Sequence, residues 1–314
     1  MVFLSKQNIA VLLFHRILPL RDEMWDPIDP ALFKQTLDYA KKKFHVVPLS
    51  EILFNQKPRS SKPLAALTFD DGYHDFIDHA IPILDAHKMK ASMYVVSDCI
   101  DKNLPTWTYV IDYLFVNTKK LQWDNFNHPD LPGEYHLVKW NTQQERINYC
   151  KKLKQYIKWI PASKRDEIIN DLLINFDDVK SPHGLMMSWA EVKQINNAGF
   201  EIGSHSVTHA TLATIEDDNV VEFELKESAK RITAQTGIVP SVFSYPIGSY
   251  DERVKKLTKK AGYKAALAVN KKMYAPERDD IFEIPRIELY NESWLKTKMR
   301  VNGTVSYLNK FRNR

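Results

Sequence analysis

Glycine is scarce in this chain, 9 in 314 residues, and no stretch is rich in proline or serine. A flexible linker needs that kind of composition, so residues 1–314 read as a single domain carrying an insertion. Cysteine is nearly absent. Cys99 and Cys150 are too few for a disulfide framework. Neither sits beside a His or a second Cys at ligand spacing, so both read as reduced, partly buried thiols. Long hydrophobic runs are missing too. The N-terminal run Ile9 to Phe14 is too short for a signal-peptide core or a membrane span, and His15 and Arg16 follow at once. It reads as a buried strand, and a cytoplasmic protein is the expectation. No single sign of charge dominates, because the net +5 comes from lysines and arginines interspersed with acids. No basic stripe interleaved with aromatics appears, which argues against nucleic-acid binding. The basic tail Lys310 to Arg314 could make weak peripheral contact with an anionic membrane surface, although a solvated tail is the default reading.

A hydrophobic share of 44% is enough for a globular core. Seven short apolar runs are continuous rather than alternating, the signature of strands buried on both faces. They are Ile9–Phe14, Leu64–Phe69, Ala91–Val96, Phe200–Gly203, Ser241–Tyr245, Ala265–Val269 and Glu283–Ile287. Helical patterns lie between most of them, at Pro30–Phe44, Phe76–His87, Trp189–Ala198, Val220–Gly237 and Asp251–Gly262. Repeated strand–helix units predict an α/β fold with a parallel sheet, open or closed into a barrel. Residues from about Asp101 to Gly184 break the rhythm. Two helices are predicted within Thr142–Phe176, joined at Ile160-Pro161-Ala162-Ser163, with Ser163 and Glu167 as a cap for the second. This segment is expected to pack over one end of the sheet, as a substrate wall or as a purely structural excursion.

Thr68-Phe69-Asp70-Asp71-Gly72 stands at the end of the second run. Adjacent carboxylates oppose each other's ionisation when buried. A metal resolves the conflict, since one acid ligates and the other stays free as a base; a helix N-cap is the plainer alternative. Gly203-Ser204-His205-Ser206-Val207-Thr208-His209 leaves the fourth run. Two His four apart share one face of a helical turn and can present two imidazoles to one ion. His15 follows the first run, Tyr245-Pro246-Ile247-Gly248 the fifth, and Arg286 lies in the seventh. Polar residues at the C-terminal ends of different strands are where α/β barrels place their active sites.

Taken together, the Thr-Phe-Asp-Asp-Gly motif, the His-x-x-x-His motif led by Trp189 and Gly199-Phe200-Glu201-Ile202-Gly203-Ser204, and the turn Tyr245-Pro246-Ile247-Gly248 resemble the polysaccharide deacetylase family, the NodB-homology carbohydrate esterases. The resemblance spans most of the chain and implies a distorted (β/α)7 barrel with the helical insertion at about 101–184. It implies a metal-dependent hydrolase that removes N-acetyl groups from amino sugars in a polysaccharide or glycan precursor. Asp70 resembles the family's base, and Asp71, His205 and His209 its metal ligands. The family's acid is a His at a Leu-x-x-His strand end, normally late in the chain. No such late motif is found here; Leu12-Leu13-Phe14-His15 has the pattern at the N-terminus instead, which resembles the permuted poly-N-acetylglucosamine deacetylases and makes His15 the expected acid. Ser244 stands where the family often carries an Arg that orients the base, and Arg286 is expected to supply that guanidinium. Ile247 replaces the usual Tyr and is expected to offer its N–H to the oxyanion, with Tyr245 beside it.

Mixed N/O ligands favour Zn2+, with Co2+, Ni2+ or Mn2+ as substitutes. The expected partner is an N-acetylated glycan or glycolipid. Trp107, Tyr109, Tyr113 and Trp123 are candidates for stacking on sugar rings, although packing roles are commoner. Two other readings remain: an amidohydrolase such as a deacetylase or deformylase of a lipid-linked sugar, and a non-catalytic carbohydrate-binding relative.

Overall fold

The computed structural model describes residues 8–55, 60–123, 128–136 and 138–304. The first half comprises β1 (Ala10–Phe14), α1 (Pro30–Lys43), β2 (His45–Val46), α2 (Leu49–Leu53), β3 (Leu64–Asp71), α3 (Ile81–Ala86), β4 (Ser92–Val95) and α4 (Ser97–Lys102). The insertion brings α5 (Trp107–Asn117), α6 (Gln143–Ile157) and α7 (Ala162–Asn175). Then follow α8 (Trp189–Asn197), β5 (Glu201–Ser204), α9 (Asp218–Thr236), β6 (Val242–Ser244), α10 (Glu252–Lys260), β7 (Ala265–Ala268), β8 (Ile284–Pro285), β9 (Ile287–Glu288) and α11 (Trp294–Val301).

All strand pairs are parallel, in the order β8-β7-β6-β5-β4-β3-β1-β9, with β2 added against the start of β3. The fold is a nearly closed α/β barrel. Six of the predicted runs are single strands. The seventh, Glu283–Ile287, is divided at Arg286: β8 pairs with β7, and β9 pairs with β1. The last stave therefore leans from one neighbour to the other across the seam, as strand tilt in a barrel demands.

Side-chain alternation decides what faces inward. Along β3, Ala65, Leu67 and Phe69 join the core beneath α1 and α3, whereas Leu64 and Ala66 join a second cluster with Val11, Tyr94, Val242, Leu267 and Ile284. These second-cluster residues come from strands all round the barrel and fill its interior. The same parity carries Asp70 inward from β3, Ser244 from β6 and Arg286 from the β8–β9 junction. At the opposite end α2 is fastened by Glu201, the first residue of β5, whose carboxylate accepts the N–H groups of Leu49 and Ser50 (3.1 and 3.0 Å). Gly203 in β5 has no room for a side chain, since a Cβ would lie 2.3 Å from the Tyr94 ring and 2.9 Å from the Val242 carbonyl.

The insertion has its own apolar cluster, built from α5, α6, α7 and the loop residues Trp123, Leu131, Tyr135 and Trp140. Helix α5 was not expected. Its sequence WTYVIDYLFVN is apolar on nearly every side and shows no helical period. The predicted Ser163 cap is not formed. Pro161 precedes α7 and lets the helix begin at Ala162, so Ser163 falls inside the first turn. Thr142, by contrast, caps α6 by accepting from the Glu145 N–H. Both cysteines are buried and unpaired, and burial pushes their thiols well up, which leaves them unreactive. No described helix is long and apolar enough to cross a membrane. The basic tail Lys310–Arg314 lies outside the described residues.

Candidate active site

Asp70 and Asp71 end β3 and sit at no helix start, so the N-cap alternative fails. Asp70 continues the strand into the barrel, where Arg286 grips it with two hydrogen bonds, Nη1 to Oδ1 at 2.8 Å and Nη2 to Oδ2 at 2.7 Å. Ser244 completes the triangle: its hydroxyl donates to Asp70 Oδ2 (3.0 Å) and accepts from Arg286 Nη2 (2.8 Å). The guanidinium thus comes from the last stave rather than from the Ser244 position. Burial works to raise the Asp70 carboxyl, but Arg286, His205 and His15 outweigh it and hold the group well below the ordinary carboxylate range.

Asp71, the last residue of β3, has a left-handed backbone (φ 79°). Its Oδ1 is buried and has no hydrogen-bond partner. Instead it faces His205 Nε2 at 3.6 Å and His209 Nε2 at 3.5 Å. One ligand atom from each of these three residues lies within 4.8 Å of the others. The two His were expected on one helical turn. They stand instead in an irregular loop after β5, bent by left-handed backbones at Ser206 (φ 68°) and His209 (φ 61°). This loop is held from several sides. Glu224 of α9 accepts the N–H groups of Val207 and Thr208 (2.8 and 3.0 Å) and the Thr208 hydroxyl. The Trp107 indole of α5 donates to the His209 carbonyl at 3.0 Å. His205 Nδ1 donates to the Ser244 carbonyl at 2.7 Å, which leaves the Nε2 lone pair free. Burial, reinforced by His205, drives the His209 imidazole well below its usual range, so it is neutral and able to ligate.

For Asp71 the balance runs the other way. Burial raises its carboxyl, Asp70 reinforces the rise, and His15 and His205 do not cancel it. An acid raised by burial costs stability where it is ionised: the loss starts as pH rises through the unfolded value and is complete above the folded one. The metal-free Asp71→Asn variant is therefore expected to be at least as stable as wild type at neutral pH, yet to gain no melting temperature from zinc. Thermal unfolding with and without the ion checks both halves. A drop of several degrees in the metal-free variant would contradict this balance.

The remaining expected residues gather round a cavity of about 420 Å³ lined by His15, Asp70, Asp71, His205, His209, Tyr245 and Ile247. His15 follows β1, half-buried, with its ring edge-on to Trp25 at 5.3 Å. The next residue, Arg16, is fixed by a buried ion pair to Asp75 at 2.7 Å. Ile247 has a left-handed backbone (φ 60°), which is costly for a β-branched residue and marks a turn held by its surroundings. The Tyr245 hydroxyl is turned away and donates to the Phe282 carbonyl at 3.1 Å. Of the aromatics considered for stacking, Trp107 is engaged with His209, Tyr109 packs on Trp25 and Tyr73, Tyr113 stacks on Tyr109, and Trp123 is buried in the insertion core. Besides Tyr245, the cavity is lined by Trp25 and Trp159, with Asp112, Lys154 and Lys158 from the insertion. Glu224, Trp25 and these insertion residues carry no motif; only the folded chain brings them to the site.

A parallel barrel with acids and imidazoles converging at the C-terminal ends of its strands is the architecture of a barrel enzyme. The family described as polysaccharide deacetylase matches residues 57–266, and the chain belongs to that family. No curated protein matches it in sequence. Among solved structures it is similar to the Streptococcus pyogenes deacetylase PplD in complex with acetate (15% identity, TM-score 0.61, 94% of this chain and 97% of that one). Comparable likeness links it to IcaB from Ammonifex degensii (15%, 0.59, 94% and 97%) and to a de-N-acetylase from Aggregatibacter actinomycetemcomitans (16%, 0.59, 94% and 99%). At such identities the likeness is one of fold.

Proposed function

We propose that this chain is a metal-dependent de-N-acetylase acting on amino sugars of a polysaccharide or glycan precursor, with Asp70 as base and His15 as acid. One observation carries the reading: two adjacent carboxylates have opposite environments, Asp70 locked to Arg286 and Asp71 facing two imidazoles with an orphaned oxygen. The donor set fits a divalent cation, with Asp71, His205 and His209 holding it and zinc the best match for two nitrogens and one oxygen. Such an ion would polarise the acetyl carbonyl and lower the pKa of a nearby water, which makes a base of low proton affinity sufficient.

The chain's own residues do the rest. Asp70, kept ionised and aimed by Arg286 and Ser244, accepts the proton of the attacking water. The Ile247 N–H, on its constrained turn, stabilises negative charge on the former carbonyl oxygen, a contribution of roughly 3–4 kcal/mol for a well-placed donor. His15 donates a proton to the leaving amine, after which acetate and the free amino sugar depart. Trp25 and Trp159 offer faces for sugar rings.

The test is acetate release from N-acetylated oligosaccharides and from a lipid-linked acetylated sugar, by the zinc-loaded protein and after chelation. Zinc-dependent release supports the proposal. Formate release from a formylated sugar, with no acetate from any acetylated one, would make the chain a deformylase. Binding of sugars without zinc uptake or hydrolysis would make it a carbohydrate-binding relative.

A further inference from the structure

The insertion forms one wall of the candidate active-site cavity, and that wall is charged. Lys154 of α6 is ion-paired with Asp112 of α5, and both side chains are largely buried. One turn further, at the C-terminal end of α6, Lys158 lines the same cavity as His209 and Asp71. It is half-buried, and no carboxylate among the described residues lies within ion-pair distance of its ammonium. Three of the acids around the cavity are already engaged, Asp70 with Arg286, Asp112 with Lys154 and Asp71 between the two imidazoles; Glu288 accepts from the neutral Tyr290 hydroxyl and keeps its charge, but it lies beyond ion-pair distance of Lys158. Across the cavity Lys271 adds a second cation, resting over the Tyr290 ring at 5.8 Å.

A half-buried ammonium without an ion-pair partner carries part of the desolvation cost of a buried charge. Burial pushes the Lys158 ammonium down, Lys154 adds to the fall, and Asp112 and Glu288 do not offset it. A helix C-terminus favours a cation, but that accounts for a lysine pointing along the helix axis and not for one facing a catalytic cavity. An anion entering the cavity supplies the missing partner.

We propose that Lys158 recognises an anionic substituent, phosphate or carboxylate, on the acetylated sugar, so that the preferred substrate is a charged amino sugar. The inference rests on the deacetylase reading of this cavity and names its substrate class.

Binding tests it independently of turnover. Zinc-loaded protein is titrated with N-acetylglucosamine 1-phosphate, N-acetylmuramic acid and neutral N-acetylglucosamine by calorimetry. At least one anionic sugar is expected to bind about tenfold more tightly than the neutral one, equivalent to about 1.4 kcal/mol, and which one does distinguishes phosphate from carboxylate. The preference should shrink as salt rises from about 50 to about 500 mM. Lys158→Met should reduce it to within about twofold, whereas Lys158→Arg should keep it; Lys158→Gln substitutes if the Met variant does not fold. Equal binding of the three sugars by wild type, or binding of none, overturns the inference. A preference that survives in Lys158→Met belongs to the metal rather than to Lys158 and overturns it too. If the Lys158-dependent preference holds but no sugar loses acetate, the inference stands and the deacetylase reading falls.

Discussion

Arg286→Met is expected to destabilise the protein by about 3–5 kcal/mol, the usual cost of removing one partner from a buried ion pair. Arg286 is fully buried and bonded to both oxygens of Asp70, so the substitution leaves a carboxylate inside the barrel with the Ser244 hydroxyl as its hydrogen-bond donor and His205 Nε2 at 3.8 Å. The pH dependence gives the sign. In wild type the Asp70 carboxyl lies below its unfolded value, so its contribution is present above that value and is lost as pH falls through the folded one. Without Arg286, burial raises the carboxyl, and the variant suffers most near neutrality and least in acid. Urea unfolding at neutral and acidic pH checks this, beside the double variant Asp70→Asn/Arg286→Met, which should recover much of the loss. A single variant within about 1 kcal/mol of wild type at pH 7 would show that the pair contributes little beyond a surface salt bridge.

Asp70→Asn should lower turnover by roughly 10²–10⁴-fold, the range for loss of a general base, while zinc binding survives. Asp70 is not among the three residues whose ligand atoms cluster; Asp71, His205 and His209 are. His209→Ala is expected to lose both metal and turnover. Zinc content by mass spectrometry, with acetate release measured on the same preparations, separates the two outcomes. Residual turnover within tenfold of wild type in Asp70→Asn would remove Asp70 from the role of base. Because Arg286 keeps Asp70 ionised far into acid, the acid limb of the wild-type pH–rate profile should come from other groups. In an Arg286 variant that still folds, a limb due to Asp70 should move up toward neutrality.

Much of this protein was determined by the sequence itself. Continuous apolar runs determined a parallel α/β sheet, because strands covered on both faces admit few polar positions, and the resemblance carried by the motifs implied its closure into a barrel. The few polar residues at their ends were therefore conspicuous, and Asp70, Asp71, His205, His209 and His15 all line one cavity. Parity along β3 also requires Asp70 and Ala66 to face the same way.

What only the tertiary structure decided are the relations between residues far apart in the chain. Arg286 reaches Asp70 because the last stave is divided and leans across the seam, a consequence of barrel closure that no local pattern encodes. The His pair is positioned by two left-handed residues, by Glu224 from α9 and by Trp107 from α5, not by a helical turn. Helix α5 was hidden because a helix buried on most sides loses the amphipathic period by which helices are read. The charged wall around Lys158 was hidden for the opposite reason: a lysine in a solvated run and a lysine facing a catalytic cavity look alike until the chain has folded.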